Sequence, residues 1–283
     1  MIKTVSFRTV EFDLMPFAEE IAPYSIGFLK RNAEGQSHSL DCMGSGVLVS
    51  VGNVFGILTA AHVLAALPAT GEISLVTFPR KPKKLQNMNL NMSYTERLSF
   101  GGPDWGSIGP DIAFLRLTND VVGTLKSSNS FRNLDIAATT RPPPEPKSKQ
   151  FFNAILGVID ERTHVEESEK IGFIIKKFEA SFMDGNISEI QTLEDFDYCK
   201  FLPRNGESAV LPTNFGGMSG GGIWRVYYDG KPNEKLFTVE ARLWGICYYQ
   251  SELINGSRII SGHGPNSIYE IIIKKINDKW PEA

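Results

Sequence analysis

Short apolar runs separated by clusters of glycine, proline, asparagine and serine recur along this chain. GVLVSV (46–51), VFGILTA (54–60), ISLVTF (73–78), IAFLRL (112–117) and FFNAILGVI (151–159) are followed by IGFIIKKF (171–178), GGIWRVYY (221–228), FTVEARLWGICYY (237–249) and SRIISG (257–262). Each is about the length of a strand and rich in β-branched and aromatic residues. Many short strands divided by turn signals predict an all-β fold, a barrel or a sandwich. One stretch follows a different period. SIYEIIIKKIND places Ile268, Ile272 and Ile276 on one helical face, with Lys274 and Lys275 late, where they suit the helix dipole. Ser267 and Glu270 stand at the spacing of a capping box. The apolar face of this helix is expected to pack on the second β half.

TTRPPPEPKSKQ (139–150) contains three consecutive prolines, which a central strand does not accept. It reads as a linker between an N-terminal segment with a first β unit, 1–138, and a second β unit, 151–265. The helix, 266–283, follows. Two further stretches are read as loops. FPRKPKKL (78–85) is a basic solvated connection, and DERTHVEESEK (160–170) is an exposed one carrying His164.

The net charge of −3 over 283 residues gives no global attraction to nucleic acid or anionic lipid. Three cysteines, Cys42, Cys199 and Cys247, are too few and odd in number for a disulfide framework. The N-terminus lacks an apolar core of signal-peptide type, and no run is long enough to cross a membrane. A reduced, cytoplasmic setting is the expectation.

The chemistry is concentrated in three places. GGMSGGGIW (216–224) surrounds Ser219 with five glycines. Glycine permits tight turns, so an ordinary loop is one reading. The other is a nucleophilic hydroxyl with backbone N–H groups free to face a developing oxyanion. ILTAAHVLAAL (57–67) puts His62 where a strand turns into a short apolar segment, flanked by Ala60 and Ala61. GPDIAFLRL (109–117) opens a strongly apolar strand with Asp111, either a turn residue or a partly buried carboxylate that an imidazole N–H would satisfy. His263, in SGHGPNS, is read as part of a structural turn. No cysteine pair or phosphate loop is present.

The order His62, Asp111, Ser219 on an all-β background resembles the chymotrypsin-like serine peptidases. The resemblance is carried by SGVLVSVGNVFGILTAAHV, DIAFLRL and GGMSGGGIW, with LWGICYY (243–249) similar to the segment that lines the cleft. It spans roughly residues 40–265, and its lack of disulfides is closer to bacterial intracellular members. It implies two six-stranded β-barrels with a cleft between them. It also implies Ser219 as nucleophile, His62 as general base and acid, and Asp111 as the group orienting His62. The N–H groups of Gly217 and Ser219 would form the oxyanion hole. Thr213 would lie at the pocket base, and Leu243, Trp244 and Gly245 would present an edge for an extended peptide.

Three positions depart from the family pattern. Met218 stands where digestive relatives have the Asp that pairs with a new N-terminus, so the loop must be ordered by packing or by a partner. Leu243 replaces a serine whose hydroxyl supports the catalytic Asp. Thr213 is not a carboxylate, which argues against Arg or Lys specificity and for an uncharged residue. The expected function is a serine endopeptidase acting on proteins or peptides through an acyl-enzyme, with no cofactor and no metal. A latent form activated by a protein partner is one variant. The alternative is an inactive protease-fold module that binds peptides or proteins.

Overall fold

The computed structural model describes residues 5–7, 10–12, 15–31, 40–78, 86–101, 109–140, 150–162, 164–168, 173–177, 180–204, 211–230, 238–253 and 258–281. Most of the proline-rich linker and of the basic 78–85 stretch lies outside them.

The first half is built from β1 (Ser25–Arg31), β2 (Leu40–Val51), β3 (Val54–Thr59), β4 (Glu72–Thr77), β5 (Gln86–Asn91), β6 (Glu96–Phe100) and β7 (Ile112–Arg116). Their spatial order is β5-β4-β1-β2-β3-β7-β6, antiparallel throughout. Arg132–Asn133 adds a short parallel pairing to β2 and makes this an eight-stranded sheet. The second half contains β8 (Gln150–Val158), β9 (Ala180–Leu193), β10 (Phe196–Pro203), β11 (Gly222–Asp229), β12 (Thr238–Gln250) and β13 (Ile260–His263). These close into a six-stranded antiparallel barrel in the order β8-β9-β10-β13-β12-β11. One closed barrel and a second sheet are compatible with the expected architecture.

The strands read as continuous apolar runs because both faces are buried. On β2, Val47, Val49 and Val51 join one core while Leu48 joins another. On β7, Ile112 and Phe114 face the first of these cores, and Ala113 and Leu115 the second. The first core is shared by the two halves, since Leu156, Trp224 and Leu243 of the barrel pack into it as well. Helix α1 (Met15–Ile21) seals this core with Phe17 and Ile21, and Phe17 meets Phe152 edge-on at 5.0 Å. A separate core inside the barrel holds Ile155, Phe201, Ile223, Trp244 and Ile260.

Three short helices connect the first half: α2 (Ala61–Ala66), α3 (Asn119–Lys126) and α4 (Leu134–Thr139). The C-terminal helix runs over 267–279, with Ser267–Ile272 wound as π-helix and α5 (Ile273–Lys279) continuing it. Its Ile268, Ile272 and Ile276 are buried, but in the core shared by both halves rather than on the second half alone. The capping box does not form. Ser267 Oγ instead donates to Asp197 Oδ1 at 2.5 Å, and the Asp197 carboxylate accepts from the N–H groups of Gly264, Asn266 and Ser267. A buried carboxylate from β10 thus satisfies the turn and helix start that a local cap would have served. The stretch read as an exposed loop around His164 pairs His164–Ser168 with Phe173–Lys177. Among the described residues no helix is long and apolar enough to cross a membrane.

Candidate active site

His62 enters at the first turn of α2, directly after β3. Ala60 is buried and extended at the N-cap, with no side-chain cap of its own. The helix start therefore has orphan N–H groups. Asp111 supplies the acceptor from the beginning of β7. Its Oδ1 accepts from the His62 N–H at 2.9 Å, and its Oδ2 stands 2.7 Å from His62 Nδ1. One carboxylate caps the helix and orients the imidazole together. With Nδ1 donating to a carboxylate, Nε2 is the nitrogen left to accept a proton.

Asp111 is itself held from the other half. Its N–H donates to Nε2 of His263 at 2.9 Å. His263 ends β13 and is fully buried, among the rings of Tyr198 and Tyr248 at 4.8 and 4.9 Å. Because Nε2 accepts, the ring proton sits on Nδ1, which donates to the Asp197 carbonyl at 3.1 Å. Burial lowers the pKa of His263 to about 4, against weaker opposing effects of the Asp197 backbone and the carboxylates of Asp197 and Asp111. His263 is therefore a neutral bridge between halves. Sequence alone placed it in a turn. The only signal for its role was its position at the end of an apolar run.

Ser219 is presented by the 215–222 loop, which turns twice on left-handed glycines, Gly217 (φ 87°) and Gly220 (φ 86°). At Gly220 a Cβ would stand 2.1 Å from both the Ser45 carbonyl and Thr59 Oγ1, so only glycine fits. Ser45, on β2, fastens the loop. Its N–H donates to the Ser219 carbonyl at 2.7 Å and its Oγ to the Gly217 carbonyl at 2.7 Å, while Oγ accepts from Val158 N at 2.8 Å. Met218, only 1% exposed, anchors the loop from inside, with Phe215, in the barrel core. The burial of Met218 ties this loop to the barrel interior. The N–H groups of Gly217 and Ser219 have no hydrogen-bond acceptor among the described residues. The Ser219 hydroxyl donates to the Tyr248 carbonyl at 3.1 Å rather than to the His62 ring.

His62 and Ser219 line one cavity of about 740 Å³, His62 from the first half and Ser219 from the second. Gly216, Gly217 and Met218 line it with them. The other positions named from sequence fall elsewhere. Leu243, Trp244 and Gly245 are buried inside β12 and do not line the cavity. Tyr248, Tyr249 and Gln250, further along the same strand, do. The reason is register. Ile246 and Cys247 of β12 pair with His263 and Gly262 of β13, and the register shifts between Cys247 and Tyr249, where the strand reaches the cavity. Thr213 is exposed and points to Glu161, whose carboxylate accepts from Thr213 Oγ1 at 2.9 Å and Asn214 N at 2.7 Å.

Cys247, beside the Ser219 loop, is buried and free, as are Cys199 and the half-buried Cys42 in lacking a disulfide. Burial pushes the thiols of Cys42 and Cys247 up to about 12 and that of Cys199 upward as well. None is a thiolate nucleophile. The sequence matches no protein-family model and none of the curated proteins.

Proposed function

We propose that this protein is a chymotrypsin-like serine endopeptidase whose triad is Ser219, His62 and Asp111. The observation that carries the reading is the pairing of both Asp111 oxygens with His62, on the cavity that Ser219 lines from the other half. Two N–H groups without acceptors among the described residues, on Gly217 and Ser219, support it as a ready oxyanion site.

The reading requires the Ser219 hydroxyl to leave the Tyr248 carbonyl for His62 Nε2 when substrate binds, a tightening common to catalytic hydrogen bonds. Ser219 Oγ then attacks the substrate carbonyl carbon and its proton passes to Nε2. The oxyanion is met by the N–H groups of Gly217 and Ser219. The C–N bond breaks, and the amine leaves with the proton from Nε2. Water, deprotonated by the same nitrogen, attacks the acyl ester and releases the acid and free Ser219. Asp111 holds the tautomer and stabilises the imidazolium. The packing of Met218 favours a loop ordered within the isolated chain over one awaiting an activator.

The bond from Ser219 Oγ to Tyr248 favours a second reading, a module that binds peptides without cleaving them. An uncharged fluorophosphonate separates the two. Intact-protein mass spectrometry is expected to show one adduct on the wild type and none on Ser219→Ala. Wild-type protein that stays unmodified, alone and with cell lysate, would leave only the binding module.

A further inference from the structure

The cavity beside Ser219 contains a cation that the triad does not use. Arg258 lines it, half-buried, two residues before β13. Its Nε donates to the Thr213 carbonyl at 2.5 Å and its Nη1 to the Ser251 carbonyl at 2.7 Å. The two bonds reach different segments, the stretch leading into the Ser219 loop and the exit of β12. They fix the guanidinium plane and leave its other N–H donors unassigned. No carboxylate among the described residues lies within 4 Å of it. Glu252 also lines the cavity but is exposed and forms no ion pair with Arg258.

The walls nearby are apolar or neutral: Phe215, Tyr248, Tyr249, Gln250 and Ile260. Gln250 is already committed, its Oε1 to Phe215 N at 2.8 Å and its Nε2 to Asn214 Oδ1 at 2.7 Å. A half-buried guanidinium with backbone carbonyls but no counterion is incompletely compensated. Arginine in this state recognises a carboxylate through paired, charge-assisted hydrogen bonds, which are stronger in partly dry surroundings.

We propose that Arg258 is the specificity residue of this cavity, and that it receives the acidic side chain, Glu or Asp, of the residue whose carbonyl faces Ser219. The inference rests on the peptidase reading of the same site. It replaces the uncharged residue expected from Thr213, because Thr213 faces Glu161 and contributes its carbonyl to Arg258 instead of its side chain to the cavity.

The test separates binding from catalysis. Ser219→Ala protein is titrated with two hexapeptides, acetylated and amidated so that no terminal carboxylate remains, identical except for Glu or Gln at one position. The Glu peptide is expected to bind about tenfold more tightly, a preference that shrinks in high salt. Adding Arg258→Gln is expected to abolish the preference, and Arg258→Lys to keep part of it. Equal binding of the two peptides overturns the proposal, and this comparison needs no Arg258 variant to fold. A Glu preference that survives Arg258→Gln overturns it too. The uncharged fluorophosphonate reads Ser219 independently. Labelling without Glu preference removes the acidic subsite alone, whereas Glu-selective binding without labelling removes the peptidase and keeps the anion site.

Discussion

The backbone N–H of Asp111 donates to the imidazole of His263, 2.9 Å away and from the opposite half of the molecule. That bond requires an unprotonated Nε2. It links the carboxylate that orients His62 to β13 and, through Nδ1, to the Asp197 carbonyl. His263 acts on the site only through Asp111, as a positioning residue.

Acid should weaken this bridge. An unfolded histidine titrates near ~6.5, and folded His263 titrates at about 4. Between those values the unfolded chain binds a proton that the folded chain refuses. The contribution to stability is whole above about pH 6.5 and falls as the pH drops toward 4, by up to ~1.4 kcal/mol per pH unit. Denaturant midpoints at pH 7 and pH 4.5 should differ less for His263→Gln than for the wild type. An identical difference would show that His263 does not titrate this way.

Asp111→Asn keeps the shape and removes the charge. An amide presents one acceptor where the carboxylate serves both His62 N and Nδ1. The rate of fluorophosphonate labelling should fall by roughly 10³–10⁴, with the far-UV spectrum unchanged. A loss below tenfold would mean that Asp111 does not orient His62.

Met218 tests whether packing orders the Ser219 loop. Met218→Ala empties a buried site beside Phe215 and should cost about 2–4 kcal/mol. Met218→Leu conserves volume and should cost under about 1.5 kcal/mol. Urea unfolding measures both. Labelling of Ser219 should slow in the alanine variant and persist in the leucine variant.

Ser45 ties the loop to β2 and β8. Ser45→Ala leaves the Gly217 carbonyl and Val158 N–H without their hydroxyl partner. A loss of about 1–3 kcal/mol is expected in urea unfolding, with slower labelling at Ser219. Unaltered stability would show that the loop does not depend on this bridge.

The three thiols should be inert in the native state, because burial holds each in its neutral form. Iodoacetamide at pH 8 is expected to modify them fully only in denaturant. Rapid native modification of Cys247 would contradict its burial.

Much of the β character was legible in local pattern. GVLVSV, VFGILTA and IAFLRL each fall on a strand, because β-branched and aromatic residues suit a pleated backbone buried on both faces. SIGFLKR (25–31) was missed, since its glycine and charged end weaken the pattern. The long β9 and β10 were missed as well, being mixed in polarity. The Ser267–Glu270 spacing suggested a local cap, but a buried carboxylate distant in sequence competed for the serine hydroxyl and won.

Residue type and order by themselves determined the β class, the C-terminal helical face and three chemically suited groups, His62, Asp111 and Ser219. These depend on short-range periodicity and on the chemistry a side chain carries anywhere. Only the tertiary structure decided which neighbours each group meets. His263 behind Asp111, Met218 within the barrel, Tyr248 rather than Leu243 at the cavity and Arg258 facing it all follow from strand register and from the closure of the barrel. A shift of one residue in register turns a side chain to the other face. Pairings that close the barrel, β8 with β11 and β10 with β13, join strands far apart in the chain, where no local pattern records them.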